Sequence, residues 1–249
     1  GISSGTNICA AIRLAKELGV LGMDMTWVTV ILNGEYYGVE MFVEHIRVDQ
    51  NRVNIFDWES KAEDLADGLY DAVGGTAGWT KDDQSALEEA MSTDFSWMSS
   101  SNVVYKGTKY WLKDYGLWEN WDLSGGYLYE MDGRWDEVSK FQTKQKLTKI
   151  NVNTPEFAKT DTSMMDAIQK KWNDFEDAYL SIDHYHSDGK TSLADLADID
   201  SMAGYWLTLE CLGNVDSRAF SRYSYVDVGG KMMMGPVWDF EYGGGSIAV

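Results

Sequence analysis

The chain has 249 residues, with 40 Asp and Glu against 21 Lys and Arg, and a formal net charge of −19. So anionic a surface repels nucleic-acid phosphates, which excludes DNA and RNA as partners and favours a basic protein partner. A content of 44% hydrophobic and 13% aromatic residues is that of a folded globular chain, not a disordered one.

Neither a signal peptide nor a run of about 18 apolar residues is present, so no membrane span is expected. Cys9 and Cys211 both lie in apolar helical patterns and read as two buried free thiols. No CxxC or Cys/His metal spacing occurs, and His45, His184 and His186 are scattered, which argues against a zinc site.

The first element is a helix over 7–18, with apolar residues at Ile8, Ala11, Ile12, Ala15 and Leu18 and Gly19 as its stop. Strands over 26–32 and 36–43 flank Asn33-Gly34, the clearest hairpin signal in the chain. Residues 52–56 read as a short third strand. Helical patterns cover 61–70 and 82–91, and Gly74-Gly75-Thr76-Ala77-Gly78 reads as a flexible loop between them. Residues 96–101 read as polar and irregular. Strands are expected over 126–131 and 138–142. Thr154-Pro155 reads as a helix opening, with Thr as N-cap and Pro in the first helical position. A long amphipathic helix follows over 164–180, then a short turn at 193–196 and a helix capped by Asp200-Ser201 and running to Leu212. Residues 223–226 and 232–234 form a final hairpin through Gly229-Gly230. Hairpins and long helices without βαβ alternation define the fold class as α+β.

The chemistry concentrates near the end. Asp216 follows the buried-looking helix, and Asp239 sits on a Trp238-Asp239-Phe240-Glu241 turn beyond the final hairpin. Two carboxylates at the two ends of one hairpin converge on a point. Metal-dependent phosphoryl transfer needs that arrangement, one Asp taking a hydroxyl proton and the other holding a cation on the phosphates. Taken alone, Asp216 fits a turn or cap residue more often than a catalytic one. An Asp between two large aromatics is partly desolvated and needs a metal, a cation or several donors. Arg218, Arg222 and Lys231 are the nearby cations that offset nucleotide charge. Glu44, at the end of the second strand, pairs with a Lys to position phosphate or is simply an edge-strand charge. Asp188-Gly189-Lys190 superficially resembles a calcium loop, but its register puts His184 and His186 where carboxylates are required. The dispersed Trp and Tyr residues fit core packing better than a sugar-stacking platform.

Three ordered blocks carry a resemblance. They are Asn33-Gly34-Glu35-Tyr36-Tyr37-Gly38-Val39 with Val43-Glu44; Gly125-Gly126-Tyr127-Leu128-Tyr129-Glu130-Met131-Asp132; and Ile199-Asp200-Ser201 leading to Asn214-Val215-Asp216 and Gly235-Pro236-Val237-Trp238-Asp239-Phe240-Glu241. Together they resemble the CotH kinase family, the spore-coat-protein-H-like atypical protein kinases. The resemblance implies a divergent, atypical protein-kinase-like fold that lacks parts of the family domain at both ends. It implies one domain over 1–249, with an N-terminal helix and hairpin region at 1–57 and a mainly helical region with the catalytic hairpin at 58–249. It further implies ATP and Mg or Mn as cofactors, and Ser or Thr of a protein, basic or Ser/Thr-rich, as substrate. By motif position Asp216 matches the catalytic aspartate and Asp239 the metal-binding one, with Asn214 and Glu241 beside them on the metal. Glu44, Arg218 and Arg222 are the nucleotide-contacting candidates. The last block departs from the family's usual Asp-Phe-Asp by having Glu241, and Ser221 stands where an ordinary kinase places a metal-binding Asn. The implied location is secreted or cell-surface, in an extracellular assembly such as a cellulosome, with the spore coat as the alternative. The competing reading is a non-catalytic kinase-like or carbohydrate- or cell-wall-associated binding module.

Overall fold

The computed structural model describes residues 6–215, 217 and 219–240. Asp216, Arg218 and Glu241 lie outside the described residues.

Helix α1 (Thr6–Glu17) buries Ala11, Ile12 and Ala15, the stripe set by its helical period. Strands β1 (Met25–Leu32) and β2 (Glu35–Val43) pair antiparallel around Asn33 and Gly34, both at positive φ, as the Asn-Gly turn requires. A bulge between Val30 and Ile31 shifts the register. This hairpin leaves Ile31, Tyr36, Tyr37 and Phe42 largely exposed. The third strand expected over 52–56 is absent. Only an isolated bridge joins Val48 and Val53, while Val53 and Ile55 are buried with Met23, Ile46 and Leu128, a cluster that Val43 at the end of β2 packs against.

Helix α2 (Trp58–Ala77) starts on Asp57, whose side chain accepts from the Ser60 N–H, and ends on Gly78 at φ +69°. It runs through the glycines read as a loop, because Val73 and Gly74 are buried against the core and repay the poor helix propensity of Gly. The break falls only at Gly78. Helix α3 (Lys81–Thr93) opens with a Thr80/Asp83 capping box. A one-turn helix α4 (Trp97–Ser100) replaces the expected irregular segment, buried by Trp97 and Met98. Strands β3 (Asn102–Tyr105) and β4 (Thr108–Trp111) then form a hairpin that the mixed aromatic pattern concealed.

The central sheet comprises β5 (Tyr127–Met131), β6 (Ser139–Gln142), β7 (Lys149–Thr154), β8 (Arg222–Val226) and β9 (Met233–Met234), all antiparallel in the order β6-β7-β5-β8-β9. Thr154-Pro155 ends β7 in a cis peptide instead of opening a helix. Helix α5 (Thr162–Leu180) starts later, where the Asp161 carboxylate accepts from the Met164 N–H at 2.9 Å. The short helix α6 (Leu193–Leu196) precedes α7 (Ile199–Leu212). The cap of α7 is Asp198, not Asp200, and its stop is Gly213 at φ +56°. Helices and an antiparallel sheet segregate as the α+β class requires.

Strand alternation divides the interior. Tyr127, Tyr129 and Val226 face the main core with Trp58, Trp97 and Trp172, so most of the aromatic content is packing. Leu128, Tyr223 and Tyr225 face the opposite cluster, with Met23, Ile46, Val53 and Ile55. Gly125 lies against the β8–β9 turn, where an added Cβ would sit 2.0 Å from the Asp227 carbonyl oxygen. Both cysteines are free as expected, but neither is buried: Cys211 is exposed and Cys9 half-buried.

Candidate active site

The segment 235–240 lies along residues 20–23. The Gly235 N–H donates to Tyr223 O at 2.9 Å and the Val237 N–H to Leu21 O. Val237 and Phe240 are buried in one cluster with Ala11, Ile12, Ala15, Val20 and Tyr205, and Trp238 packs against the cluster of Met23, Ile46, Val53, Ile55 and Leu128. These two aromatic anchors fix the turn between them. Asp239 occupies the left-handed region at φ +56°, which Asp tolerates because its short carboxylate bonds locally.

Two side chains hold that turn. The Asn214 Nδ2 donates to the Asp239 carbonyl oxygen at 3.1 Å, and the Ser221 hydroxyl donates to Asp239 Oδ2 at 3.3 Å. Asn214 is itself set by the Gly213 stop of α7, its N–H donating to Leu209 O at 3.1 Å. Its Oδ1 accepts from the Ser217 N–H, and its carbonyl accepts from the Ser217 hydroxyl. Asn214 and Ser221 bracket Asp216 in sequence, so the loop that carries Asp216 is tied to Asp239 at both ends. Ser221, read as a departure, is thus part of the site. Asn214, assigned to a metal, has its amide engaged in holding backbone.

Glu44 ends β2. Its N–H donates to Asp24 O at 2.9 Å, and its Oε2 accepts from the Asp24 N–H. Its expected Lys partner is instead Arg52, whose Nε lies 3.6 Å from Glu44 Oε1. Lys16 pairs with Asp24. Glu44 lines a cavity of about 430 Å³ with Lys16, Gly22, Asp24, Asn51 and Tyr225. Leu21 and Tyr225, which pack against the same cluster as Trp238, also line it. Sequence reading missed Lys16, Asp24 and Arg52. Each is an ordinary surface charge until the chain folds.

Arg222, the other nucleotide-contacting candidate among the described residues, lies apart from Glu44. It faces the other side of β8 with its guanidinium on the Met131 sulfur, in a second cavity that shares no wall residue with that of Glu44. The reason is the period of two: Tyr223 and Tyr225 take the Glu44 side, so Arg222 and Ser224 take the other. Lys231 donates to the Ala194 carbonyl.

On the Tyr223 side Glu130 accepts from Asn153 Nδ2, and burial lifts its carboxyl above the usual range. Burial and the Glu130 charge raise the Tyr223 phenol as well. In the calcium-loop look-alike, His186 lies 3.4–3.6 Å from Asp174, Asp177 and Asp188, on the carboxylates a cation would take. Among the described residues no group of three or more His, Cys, Asp and Glu stands ready for a metal. A half-exposed Asp239 carboxylate with one weak side-chain hydrogen bond among the described residues does fit Mg²⁺ or Mn²⁺, because Mg²⁺ takes one or two carboxylates and completes its shell with water and phosphate oxygens.

The turn-held Asp239, the loop residues Asn214 and Ser221 that bond to it, and the polar cavity of Glu44 make up the candidate site. The family model described as CotH kinase protein matches residues 10–248. The chain therefore belongs to the CotH kinase family. No curated protein and no solved structure matches it. Among the described residues no helix is long and apolar enough to cross a membrane.

Proposed function

We propose that this chain is an atypical protein kinase that transfers the γ-phosphoryl group of ATP to a Ser or Thr hydroxyl of a protein. The observation that carries this reading is the pair of hydrogen bonds from Asn214 and Ser221 to Asp239, which ties the loop bearing Asp216 to the Asp239 turn. Family membership supports the same reaction class.

In this reading the substrate hydroxyl approaches Asp216, which orients it and accepts its proton as the new O–P bond forms and ADP leaves. Asp239 holds the divalent cation, with Glu241 beside it and Ser221 orienting its carboxylate. The cation, when bound, neutralises charge on the phosphates. Asn214 keeps the turn in place. Lys16 and Arg52, with Arg218, offset the remaining nucleotide charge, and Glu44 fixes Arg52. Without such local cations a chain of charge −19 would repel ATP. The fold is then a divergent kinase-like one over a single domain, with α1 and the hairpin as the smaller part. The substrate is a basic or Ser/Thr-rich protein, and the setting is the spore coat or the cell surface.

The test is incubation with γ-labelled ATP, Mg²⁺ or Mn²⁺ and a basic protein. Transfer is expected from the parent chain and is lost in Asp216→Ala and Asp239→Asn, both of which stay folded. Undiminished transfer by either variant overturns the assignment. If no label moves and Mg-ATP does not raise the melting temperature, the chain is a non-catalytic binding module.

A further inference from the structure

The cavity that receives Arg222 measures about 420 Å³ and lies between the central sheet and helices α5 and α7. Its walls are mainly apolar: Met131 from the sheet, Trp172, Phe175 and Tyr179 from α5, and Trp206 and Leu209 from α7. Two polar groups have no described partner inside it. The Ser224 side chain is 1% exposed and its Oγ makes no hydrogen bond. The Arg222 Nε is buried and also unbonded, and none of the ion pairs among the described residues includes Arg222. Glu176 lines the same cavity, but its carboxylate is taken by the Thr143 hydroxyl at 2.6 Å and the Gln145 N–H at 3.0 Å. Lys146 adds a second, exposed cation to the wall.

A half-buried guanidinium whose Nε is buried and unbonded and which has no ion pair among the described residues, and a buried hydroxyl with no hydrogen bond, are each costly unless a ligand completes them. The planar guanidinium matches a carboxylate in a two-point contact. Aromatic walls suit an apolar body and disfavour a heavily hydrated polyanion such as a nucleotide. The volume lies in the range of about 300–1,000 Å³ typical of small-molecule sites. We propose that this cavity is a binding site for an amphiphilic monocarboxylate, its head group on Arg222 and Ser224 and its alkyl or aryl body among Trp172, Phe175 and Trp206. This assignment does not rest on the kinase reading: the cavity shares no wall residue with that of Glu44, although its Tyr205 and Tyr223 also belong to the clusters that hold Val237, Trp238 and Phe240.

The test is calorimetric titration of the full chain with decanoate and with 2-naphthoate, against decanol and 2-naphthol as bodies without the charge. Saturable one-to-one binding of the carboxylates is expected, at least tenfold tighter than that of the neutral analogues. Arg222→Gln should weaken it tenfold or more, while Arg52→Gln leaves it unchanged. Ser224→Ala removes an unbonded hydroxyl, so it should melt at or above the parent temperature yet bind the carboxylate several-fold more weakly. That variant keeps the question answerable if Arg222→Gln does not fold. Absence of binding, equal binding of the neutral analogues, unchanged affinity in Ser224→Ala, or competition by Mg-ATP would each overturn the proposal.

Discussion

The side-chain amide of Asn214 donates to the main-chain carbonyl of Asp239 at 3.1 Å, across 25 residues of chain. The contact is to backbone, so it sets where the Asp239 turn lies without touching its carboxylate. Asn214→Ala should lose about 1–2 kcal/mol of stability in urea, the cost of leaving a buried acceptor unmet. Phosphoryl transfer should fall further, by about ten- to a hundredfold, because displacement of a reacting group by about an ångström is enough for that. Equal activity in the variant would reduce Asn214 to a cap.

Asp239→Asn keeps the size of the side chain and its bond from Ser221 but removes the charge. The melting temperature without ligand should hold to within a few degrees. The stabilisation by Mg-ATP should vanish, since binding to the folded state is what raises it. Thermal scans with and without Mg-ATP decide this before any activity assay.

Glu59 gives a pH signature. Burial at the start of α2 raises its carboxyl to about 7, offset in part by the Glu156 N–H, which donates to it at 2.7 Å. Its unfolded value is 4.5. Below that value both states are protonated and the side chain costs nothing. As pH rises from about 4.5 to about 7 the unfolded chain gives up its proton first, and stability falls by on the order of 3 kcal/mol. Glu59→Gln keeps the acceptor and removes the titration. Urea midpoints of the two proteins should converge near pH 4.5, with the variant more stable at pH 8. Parallel profiles would refute the buried-carboxyl account.

Gly125→Ala and Gly34→Ala separate two uses of glycine. The first places a methyl 2.0 Å from the Asp227 carbonyl oxygen and forces the β8–β9 turn aside. It should cost about 3 kcal/mol or more. The second meets no atom within 4 Å and bears only the strain of φ +86°, about 1–2 kcal/mol. Chemical denaturation ranks the pair, and the reverse order would contradict the packing described around Gly125.

The legible parts of the sequence were those with local causes. Asn33-Gly34 and Gly229-Gly230 announced their hairpins because positive φ is a property of one or two residues. The period of α5 was readable because its buried face repeats along one element. Thr154-Pro155 misled because Thr and Pro favour a helix start and a strand end alike, and only pairing of 149–154 with β5 decides. The glycines at 74 and 75 stayed helical because the adjoining Val73 is buried in the main core, which spacing alone does not reveal. In the site, the aromatic flanks of Asp239 pointed to it directly. The side of the strand that Arg222 takes, and the partnership of Arg52 with Glu44, depend on register and long-range packing that spacing does not encode.

Phe240 stands on α1, buried against Ala11, Ile12 and Ala15. A ribosome releases α1 first and the Phe240 segment last among the described residues. The apolar stripe of α1 therefore waits for Tyr205 and then Val237 and Phe240 to be made before they cover it. The Asp239 turn, flanked by Phe240, is seated only once α1 and its late partners are both present, and until then the open stripe offers a chaperone a handle.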